Sequence, residues 1–323
     1  MTNVKEFGRV GVLMGGVSSE RTISLKSGRA VFEALKEEGY DVVAIDIAAS
    51  DPRLIAAQLR ASGIQVAFIA LHGRLGEDGT IQTILEELNI PYTGSSAKAS
   101  ALAFDKAQTQ KILLEKGISV PPYVVFSNNK LLSYKDVCNV LKSSGVVVKP
   151  SCEGSSIGIT IAHRADEWNK AVALAFQYGD DIIVEKWIKG RELTVGLLDQ
   201  DALPVIEICP KRTYFDFTAK YESGLTEYII PAKLSAEKTL EVQKMALDVF
   251  RCLGCSQLAR VDFMLDEAQK FYVLEINTIP GFTATSLLPK AAKYIGLNFN
   301  QLCVKILSLV YARKEKRESA VRF

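Results

Sequence analysis

The two segments that decide the fold are Gln257-Leu-Ala-Arg-Val-Asp-Phe-Met-Leu265 and Lys270-Phe-Tyr-Val-Leu-Glu-Ile-Asn277. Both are rich in apolar and aromatic residues, and the connector Asp266-Glu-Ala-Gln269 is short and polar, so together they predict a β-hairpin. Side chains alternate between the two faces of a strand. Arg260 therefore shares a face with Asp262, and Glu275 shares a face with Asn277. Pairing of the strands would bring two carboxylates, an amide oxygen and a guanidinium together.

This group of side chains predicts a metal site at the hairpin. Carboxylate and amide oxygens are hard ligands, and Mg²⁺ is commonly held by a few carboxylates together with substrate phosphates. The alternative is a solvated polar face of a sheet. The continuation Asn277-Thr-Ile-Pro-Gly-Phe282 favours the site, because an acidic strand end that runs into a Pro-Gly turn is typical of a site edge.

Composition indicates a globular chain that is long enough for two or three domains, with 323 residues of which 48% are hydrophobic. Thirty-nine Lys and Arg against 37 Asp and Glu leave a net charge of +2. This balance argues against a nucleic-acid or membrane-surface partner. No apolar run reaches transmembrane length, and the N-terminus lacks the pattern of a signal peptide. We therefore expect a cytoplasmic protein.

The six cysteines are scattered, which predicts reduced thiols rather than a disulfide framework. Cys252 and Cys255 form a single C-x-x-C pair, which we interpret as two small residues at a helix-to-strand junction. The chain has no second cysteine pair, and its only histidines are His72 and His163. A structural zinc site would lack obvious ligands.

The order of predicted elements divides the chain into three regions, which we take as domains. Residues 1–100 alternate strands and helices, which predicts a parallel sheet. A long helix is predicted at about residues 95–116, and we place the boundary to a central domain, residues 101–189, near its start. Residues 190–323 form the third domain, which carries the hairpin, two C-terminal helices and a long polar loop at residues 211–228.

Several helix ends are marked by capping patterns. Gly39 follows a predicted helix at residues 22–38 and ends it. Ser133 with Asp136 resembles a capping box at the start of a helix. Asn298 with Gln301 can cap the last helix in the same way.

A glycine-rich loop, Glu153-Gly-Ser-Ser-Ile-Gly158, closely follows Lys149 at the end of a predicted strand. Glycine permits close backbone approach, exposed N–H groups can cradle a phosphate, and the lysine adds a positive charge. No Gly-Lys-Ser/Thr follows, so the loop is not a Walker A motif. An ordinary turn is the alternative.

Other charged residues near predicted strand ends allow two interpretations each. The segment Glu185-Lys-Trp-Ile188 could read an adenine and its phosphates with a carboxylate, a cation and an edge-strand backbone, or it could be an exposed ion pair at a sheet edge. Lys106 lies in a helix, where it would be solvated without further context. His72 suits a structural role as well as a functional one. The turn Gly15-Gly-Val-Ser-Ser-Glu20 lacks the Gly-x-Gly-x-x-Gly fingerprint, so a nicotinamide oxidoreductase is not favoured.

The chain also carries a series of short motifs in a set order: Gly15-Gly-Val-Ser-Ser-Glu-Arg21, Ala70-Leu-His-Gly-Arg74, Gly76-Glu-Asp-Gly79, Pro91-Tyr-Thr-Gly-Ser95, Asp105-Lys106, Lys149-Pro150, Glu153-Gly-Ser-Ser156, Glu185-Lys-Trp187, Ala219-Lys-Tyr221, Arg260-Val-Asp262 and Glu275-Ile-Asn277. Their joint order, from about residue 9 to residue 310, closely resembles the D-alanine–D-alanine ligase family of the ATP-grasp superfamily. The resemblance implies a three-domain ATP-grasp fold with an N-terminal parallel-sheet (pre-ATP-grasp) domain. It also implies that ATP lies between the central and C-terminal domains.

The resemblance implies a role for each matching residue. The implied ATP-binding residues are Lys106, Lys149, Glu185, Lys186, Ile188, Glu192 and Lys220. The implied ligands of two Mg²⁺ ions, with Mn²⁺ as a possible substitute, are Asp262, Glu275 and Asn277. The implied catalytic residues are Glu20, Ser155, Lys220, Tyr221, Arg260 and Gly281, among which the Arg260 side chain and the Gly281 amide would form an oxyanion site. The implied D-alanine-binding residues are Glu20, His72, Ser286 and Leu287.

The implied activity is ATP-dependent ligation of two D-alanine molecules through an acylphosphate, for peptidoglycan precursor synthesis, by a homodimer. Phe215 stands where family members often have tyrosine, and Ile279 stands where a small polar residue is common. Tyr221 matches the residue that accompanies D-alanine as second substrate. A D-alanine–D-lactate or D-alanine–D-serine ligase is the alternative within this class. A nucleotide-binding regulator without catalysis is disfavoured, because residues such as Lys149 and Glu275 are intact.

Overall fold

The computed structural model describes residues 8–127, 131–211 and 225–321, with residues 312–321 as helix backbone alone. The described strands form three sheets that follow one another along the chain. Helices pack beside them, so the architecture is α/β, as predicted. The predicted boundaries between the three domains stay predictions.

The N-terminal sheet is parallel, with the strand order β2-β1-β3. Strand β1 is buried along its whole length, as a central strand covered on both faces should be. This sheet confirms the parallel topology predicted from the alternation of strands and helices. Its strands and helices are β1 (Val10–Gly15), α1 (Arg21–Glu37), β2 (Val42–Ile47), α2 (Pro52–Ser62), β3 (Val66–Ile69) and α3 (Thr80–Glu87).

The single long helix predicted at residues 95–116 is wrong, because the structure has two helices there, α4 (Ala97–Phe104) and α5 (Lys106–Glu115). Asp105 between them has an extended backbone, and its carboxylate accepts hydrogen bonds from the N–H groups of Ala107 and Gln108. Aspartate bonds to the backbone in this way at helix starts, in competition with a continuous helix. The break turns Lys106 inward to 6% exposure, so a solvated Lys106 is also wrong.

The central sheet is antiparallel, with the strand order β4-β7-β5-β6. The segment that contains Glu185 is strand β7, which lies between two other strands, so its predicted position at a sheet edge is wrong. Its apolar residues Ile182, Ile183 and Val184 are fully buried on both faces, as an inner strand requires. The elements are β4 (Tyr123–Ser127), α6 (Tyr134–Leu141), β5 (Val146–Pro150), β6 (Thr160–Ala162), α7 (Ala165–Ala175) and β7 (Asp181–Lys186).

The C-terminal sheet has the order β11-β10-β8-β12-β13, with β9 paired to β8, and its strand pairs are antiparallel. The predicted hairpin is confirmed as β12 and β13. The loop predicted at residues 211–228 ends earlier than expected, because β11 begins at Thr226; residues 212–224, with Phe215, Lys220 and Tyr221, lie outside the described residues. The elements are β8 (Gly190–Leu198), β9 (Asp201–Ala202), β10 (Ile206–Pro210), β11 (Thr226–Ile229), α8 (Ala236–Cys252), β12 (Leu258–Asp266), β13 (Phe271–Asn277), α9 (Leu287–Tyr294) and α10 (Phe299–Val321).

The two ends of the chain share one apolar core. Val12 of β1 and Val31 of α1 belong to the same buried cluster as Phe282 and Leu302. The segment after β13 is therefore held against the carboxyl ends of the N-terminal strands, where the site described next is built. In the described part of the chain, no helix is both long and apolar enough to cross a membrane.

Candidate active site

The hairpin of β12 and β13 aligns its four polar side chains in two rows. Arg260 lies opposite Asn277, and Asp262 lies opposite Glu275. Residues that face each other across an antiparallel pair point to the same side of the sheet. The register of the two strands therefore confirms the predicted grouping of these side chains. A bulge just after Asp262 shifts the pairing of the residues that follow.

Asp262 is buried and held by three hydrogen bonds. Arg260 binds it in a bidentate ion pair, with Nε–Oδ1 at 2.9 Å and Nη2–Oδ2 at 2.8 Å. Thr194 of β8 donates its hydroxyl to Oδ1 of Asp262 at 2.6 Å. The ion pair compensates the two buried charges, because either charge buried alone would lower the stability of the fold. The guanidinium is thereby fixed in orientation beside the cavity that it lines.

Glu275 and Asn277 face the cavity and offer oxygen atoms to it. Glu275 Oε2 lies 3.3 Å from Lys106 Nζ, and Lys106 also donates to the carbonyl of Glu153. The amide oxygen of Asn277 accepts the N–H of Ile279 at 2.9 Å. Across the described ranges, no three His, Cys, Asp or Glu side chains form a group that could hold a metal. Two carboxylates and an amide instead fit an ion that takes its other ligands from phosphates.

A second carboxylate reaches the cavity from the N-terminal domain. Glu20 precedes α1, is buried, and accepts a hydrogen bond from the hydroxyl of Ser155 in the glycine-rich loop. A Cβ at Gly154 would lie 2.6 Å from Glu20 Oε2, so a larger residue there would displace the Glu20 carboxylate. Ser155 and Ser156 have left-handed φ angles of 49° and 59°. Such backbone strain in non-glycine residues is typical of functional sites.

His72, at the end of the N-terminal sheet, is buried in a polar network. Its Nε2 lies 3.0 Å from the hydroxyl of Ser27, and its Nδ1 lies 3.1 Å from the carbonyl of Ile279 and 3.7 Å from Glu77 Oε1. Burial acts to lower the pKa of His72, but the carboxylates of Glu77 and Glu20 outweigh it, so the net shift is upward from 6.5. Negative charge around the imidazole therefore favours its protonated form.

The start of helix α9 forms another part of the cavity wall. Ser286 is its N-cap residue, and both Ser286 and Leu287 line the cavity. The Ser286 hydroxyl accepts the N–H of Thr283 at 3.0 Å and lies 2.9 Å from the Thr283 hydroxyl. Backbone N–H groups and the helix dipole make such a terminus favourable for a carboxylate.

These walls enclose a cavity of about 340 Å³, a size that suits a small ligand. The predicted site residues that line it are Glu20, His72, Lys106, Ser155, Arg260, Glu275, Asn277, Gly281, Ser286 and Leu287. The predicted residues that the structure describes but that are absent from this lining are Lys149, Glu185, Lys186, Ile188, Glu192 and Asp262. Lys220 and Tyr221 lie outside the described residues.

Lys149 and Glu185 form a second buried cluster, with Nζ–Oε2 at 2.6 Å. Gln110 donates its side-chain N–H to Glu185, and it lies one helical turn beyond Lys106, which lines the cavity. The exposed ion pair considered for Glu185 is therefore wrong. The cluster is joined to the cavity through helix α5. Lys186 ends β7, Ile188 follows it as a buried residue, and Glu192 lies in β8.

Comparison with known proteins decides the family. The family model described as D-ala D-ala ligase C-terminus matches residues 112–308, and the model described as D-ala D-ala ligase N-terminus matches residues 9–61 and 49–95. A relative named D-alanine--D-alanine ligase, from Syntrophotalea carbinolica, is 46% identical over 306 residues, which cover 95% of this chain and 97% of the relative. The chain belongs to the D-alanine–D-alanine ligase family.

Solved structures agree with this membership. The crystal structure of D-alanine--D-alanine ligase from Bacillus anthracis has a TM-score of 0.85 and 35% identity, and the match covers 96% of this chain and 99% of that one. The structure of the same protein complexed with ATP has a TM-score of 0.82 and 33% identity, with the same coverage. The predicted three-domain ATP-grasp fold and the predicted ATP-dependent ligase class are thereby confirmed.

The sequence analysis predicts no role for some of the residues that line the cavity. Ser27, Lys26 and Tyr228 line the cavity, but their segments show only ordinary helix and strand patterns. Glu77 lies in the motif Gly76-Glu-Asp-Gly79, and that motif was the one signal that could have indicated it. Thr194, which holds Asp262, lies in a strand without any sequence feature that sets it apart.

Proposed function

We propose that this chain joins two D-alanine molecules into D-alanyl-D-alanine, with ATP as the energy source, and that the cavity described above is the place of reaction. The observation that carries the proposal is the meeting of three kinds of group in one cavity: a buried carboxylate beside a hydroxyl, a fixed guanidinium beside oxygen ligands, and a helix N-terminus. Each suits one part of the ligation: the carboxylate an ammonium group, the guanidinium a developing negative charge, and the helix N-terminus a carboxylate. The whole-length family relationship supports the same substrates.

The first step activates a carboxylate. An oxygen of the first D-alanine's carboxylate attacks the γ-phosphorus of ATP, the bond to ADP breaks, and an acylphosphate forms. Positioning and charge neutralisation supply most of the catalysis of phosphoryl transfer. Lys106 lies at the cavity wall, and Lys149 lies in the cluster joined to it, which supports our assignment of both to the neutralisation of phosphates. Lys220 is assigned to the γ-phosphate by family resemblance.

We assign the remaining ATP contacts to residues of the central and C-terminal sheets by family resemblance. Glu185, Lys186, Ile188 and Glu192 would hold the adenosine near the Lys149 cluster. Asp262, Glu275 and Asn277 would hold Mg²⁺, or Mn²⁺ in its place. Bound there, the metal would neutralise charge on the phosphates.

The second step forms the amide. The amine of the second D-alanine attacks the acyl carbon, and phosphate leaves. Charge develops on the acyl oxygen, so hydrogen-bond donors aimed at that position accelerate the step. Arg260, which its ion pair with Asp262 holds in orientation, and the N–H of Gly281 are the donors that we assign.

Substrate recognition divides between the two walls of the cavity. Glu20, oriented by Ser155, suits an ammonium group, and we assign it to the first D-alanine with His72 beside it. Ser286 and Leu287 at the start of α9 suit the carboxylate of the second D-alanine. Tyr221 is assigned to the same network as Glu20 and Ser155 by family resemblance, and there it would help to accept the proton of the attacking amine.

Product identification tests the proposal. The protein is incubated with ATP, Mg²⁺ and D-alanine, and phosphate release and product mass are measured with and without D-alanine. We expect one phosphate per D-alanyl-D-alanine and no phosphate release above background when D-alanine is omitted. L-alanine is the matched control and should yield no dipeptide. Absence of D-alanine-dependent phosphate release would refute the activity.

A competition experiment separates this product from the alternatives. Equal concentrations of D-alanine, D-serine and D-lactate are supplied together, and the products are quantified by mass spectrometry. We expect D-alanyl-D-alanine to predominate. A mainly ester-linked or serine-containing product would transfer the assignment to a D-alanine–D-lactate or D-alanine–D-serine ligase. The homodimer implied by the family is tested separately by light scattering.

A further inference from the structure

The turn that contains Gly281 is hydrogen-bonded to the N-terminal domain both before and after this glycine. On one side, the carbonyl of Ile279 lies 3.1 Å from Nδ1 of His72. On the other side, the N–H of Phe282 donates to the hydroxyl oxygen of Ser27 at 3.2 Å. These two contacts bracket the Pro280-Gly281 dipeptide. The residues involved are more than 200 positions apart in sequence, with separations of 207 and 255.

Ser27 and His72 are also bonded to each other, with Oγ–Nε2 at 3.0 Å. Because Ser27 accepts the Phe282 N–H, its own proton is free to go to Nε2 of a neutral His72, whose Nδ1–H then donates to Ile279. In the protonated imidazole, both ring N–H groups donate, and Ser27 accepts from His72 and from Phe282. The two contacts to the turn are therefore kept in either protonation state.

The clamp formed by Ser27 and His72 lies in the buried wall of the cavity. Ser27 has no exposed surface. The Phe282 ring packs against Phe68 and Phe299, with ring centroids 5.8 and 5.5 Å away. Ile279 is buried in an apolar core of the N-terminal domain. A buried N–H that loses its acceptor is left unsatisfied, so the Ser27 hydroxyl is the group that permits this packing.

We propose that Ser27 is a positioning residue for the second step of the ligation: through Phe282 and His72, it fixes the turn so that the Gly281 N–H points at the developing oxyanion. The inference rests on the proposed function, in which Gly281 is an oxyanion donor. Its specific consequence is a separation of the two steps. Loss of the Ser27 hydroxyl slows attack of the amine on the acylphosphate more than it slows acylphosphate formation.

The chain offers a matched control for this test. Ser24 lies one turn earlier on the same helix, is equally buried, and donates its hydroxyl to the carbonyl of Ala70 at 2.8 Å. It makes no contact with the Gly281 turn in the described hydrogen bonds. Ser24→Ala and Ser27→Ala therefore remove the same group from the same environment, and only the second disturbs the turn.

The measurement compares the two steps directly. Acylphosphate formation and its reversal are followed by positional isotope exchange in labelled ATP, and the overall reaction by dipeptide formation. In Ser27→Ala we expect dipeptide formation to fall by about tenfold to a hundredfold, as for a misplaced catalytic group. Isotope exchange should fall much less than dipeptide formation, so that the ratio of exchange to product rises. Ser24→Ala should keep the parental ratio.

Other outcomes overturn the inference in distinguishable ways. If exchange and dipeptide formation fall together in Ser27→Ala, or if both serine variants give the same ratio, Ser27 has only a structural role. If the parental protein makes no dipeptide, the proposed function itself fails. A measurement on the unaltered protein is independent of variant folding: the Phe282 amide should exchange with deuterium slowly, and rapid exchange would refute the clamp.

Discussion

Two buried ion pairs, one in the central sheet and one in the C-terminal sheet, differ in how their partners are brought together. Arg260 and Asp262 are two residues apart on one strand, so the alternation of a single strand puts them side by side. Lys149 and Glu185 come from two strands, β5 and β7, and meet only when the sheet forms. The local sequence therefore places Arg260 beside Asp262, whereas the contact between Lys149 and Glu185 depends on the tertiary structure.

The two pairs also differ in whether they reach the cavity. Arg260 lines the cavity, and its partner lies opposite Glu275, so this pair borders the cavity that we propose as the place of reaction. Lys149 and Glu185 are enclosed with Gln110, and Glu185 is almost fully buried. We therefore expect removal of a charge from the central sheet to cost the more stability, besides weakening ATP binding, and removal of a charge from the hairpin to reduce turnover the more.

The largest effect is expected for Glu185→Gln. Without the carboxylate, the buried ammonium of Lys149 has lost its charged partner, which costs about 3–5 kcal/mol of stability in comparable buried pairs. The free energy of unfolding is measured by urea denaturation. The control Lys149→Met/Glu185→Leu removes both charges and should be less destabilised. A loss below about 1 kcal/mol in Glu185→Gln would mean that the pair is solvated.

Glu275→Gln tests the other side of the comparison. Turnover should fall by about a hundredfold to a thousandfold, because a carboxylate facing the transferring charge is lost. The side chain of Glu275 is 24% exposed, but that of its partner Lys106 is only 7% exposed, so we also expect a loss of stability of about 1–3 kcal/mol, smaller than in Glu185→Gln. The matched control is Glu267→Gln in the exposed turn of the same hairpin, which should keep full activity. Unchanged Mg²⁺ dependence in Glu275→Gln would remove this residue from the metal site.

The smallest effect is expected for Thr194→Val, which removes one of the three hydrogen bonds to Asp262 without changing any charge. A hydrogen bond to a buried carboxylate is worth about 1.5–3 kcal/mol, and we expect a loss of stability near the lower value because Arg260 remains. Turnover should fall by about tenfold, as Asp262 and Arg260 lose part of their orientation. Thermal denaturation and steady-state kinetics measure the two effects. Unaltered kinetics would show that Arg260 alone orients Asp262.

Much of the fold could be predicted because its signals are local. Ser133 caps α6 and Asn298 caps α10 through the predicted residues, and the hairpin has the predicted faces. The break at Asp105 was missed because helical periodicity continues through it, while a single carboxylate bonded to the backbone decides the outcome. The inner position of β7 was missed because strand order depends on pairing between distant segments.

The sequence by itself determined the element types, the hairpin, the motif order and hence the family, because each of these depends on near neighbours or on a linear pattern. Only the tertiary structure decided which distant groups meet. Glu20 and Ser155 are 135 residues apart, and Ser27 and Phe282 are 255 apart. A helical serine such as Ser27 looks the same in sequence whether it faces a core carbonyl or a catalytic turn. Its role arises from the packing of the C-terminal helices against the N-terminal sheet, which no local pattern encodes.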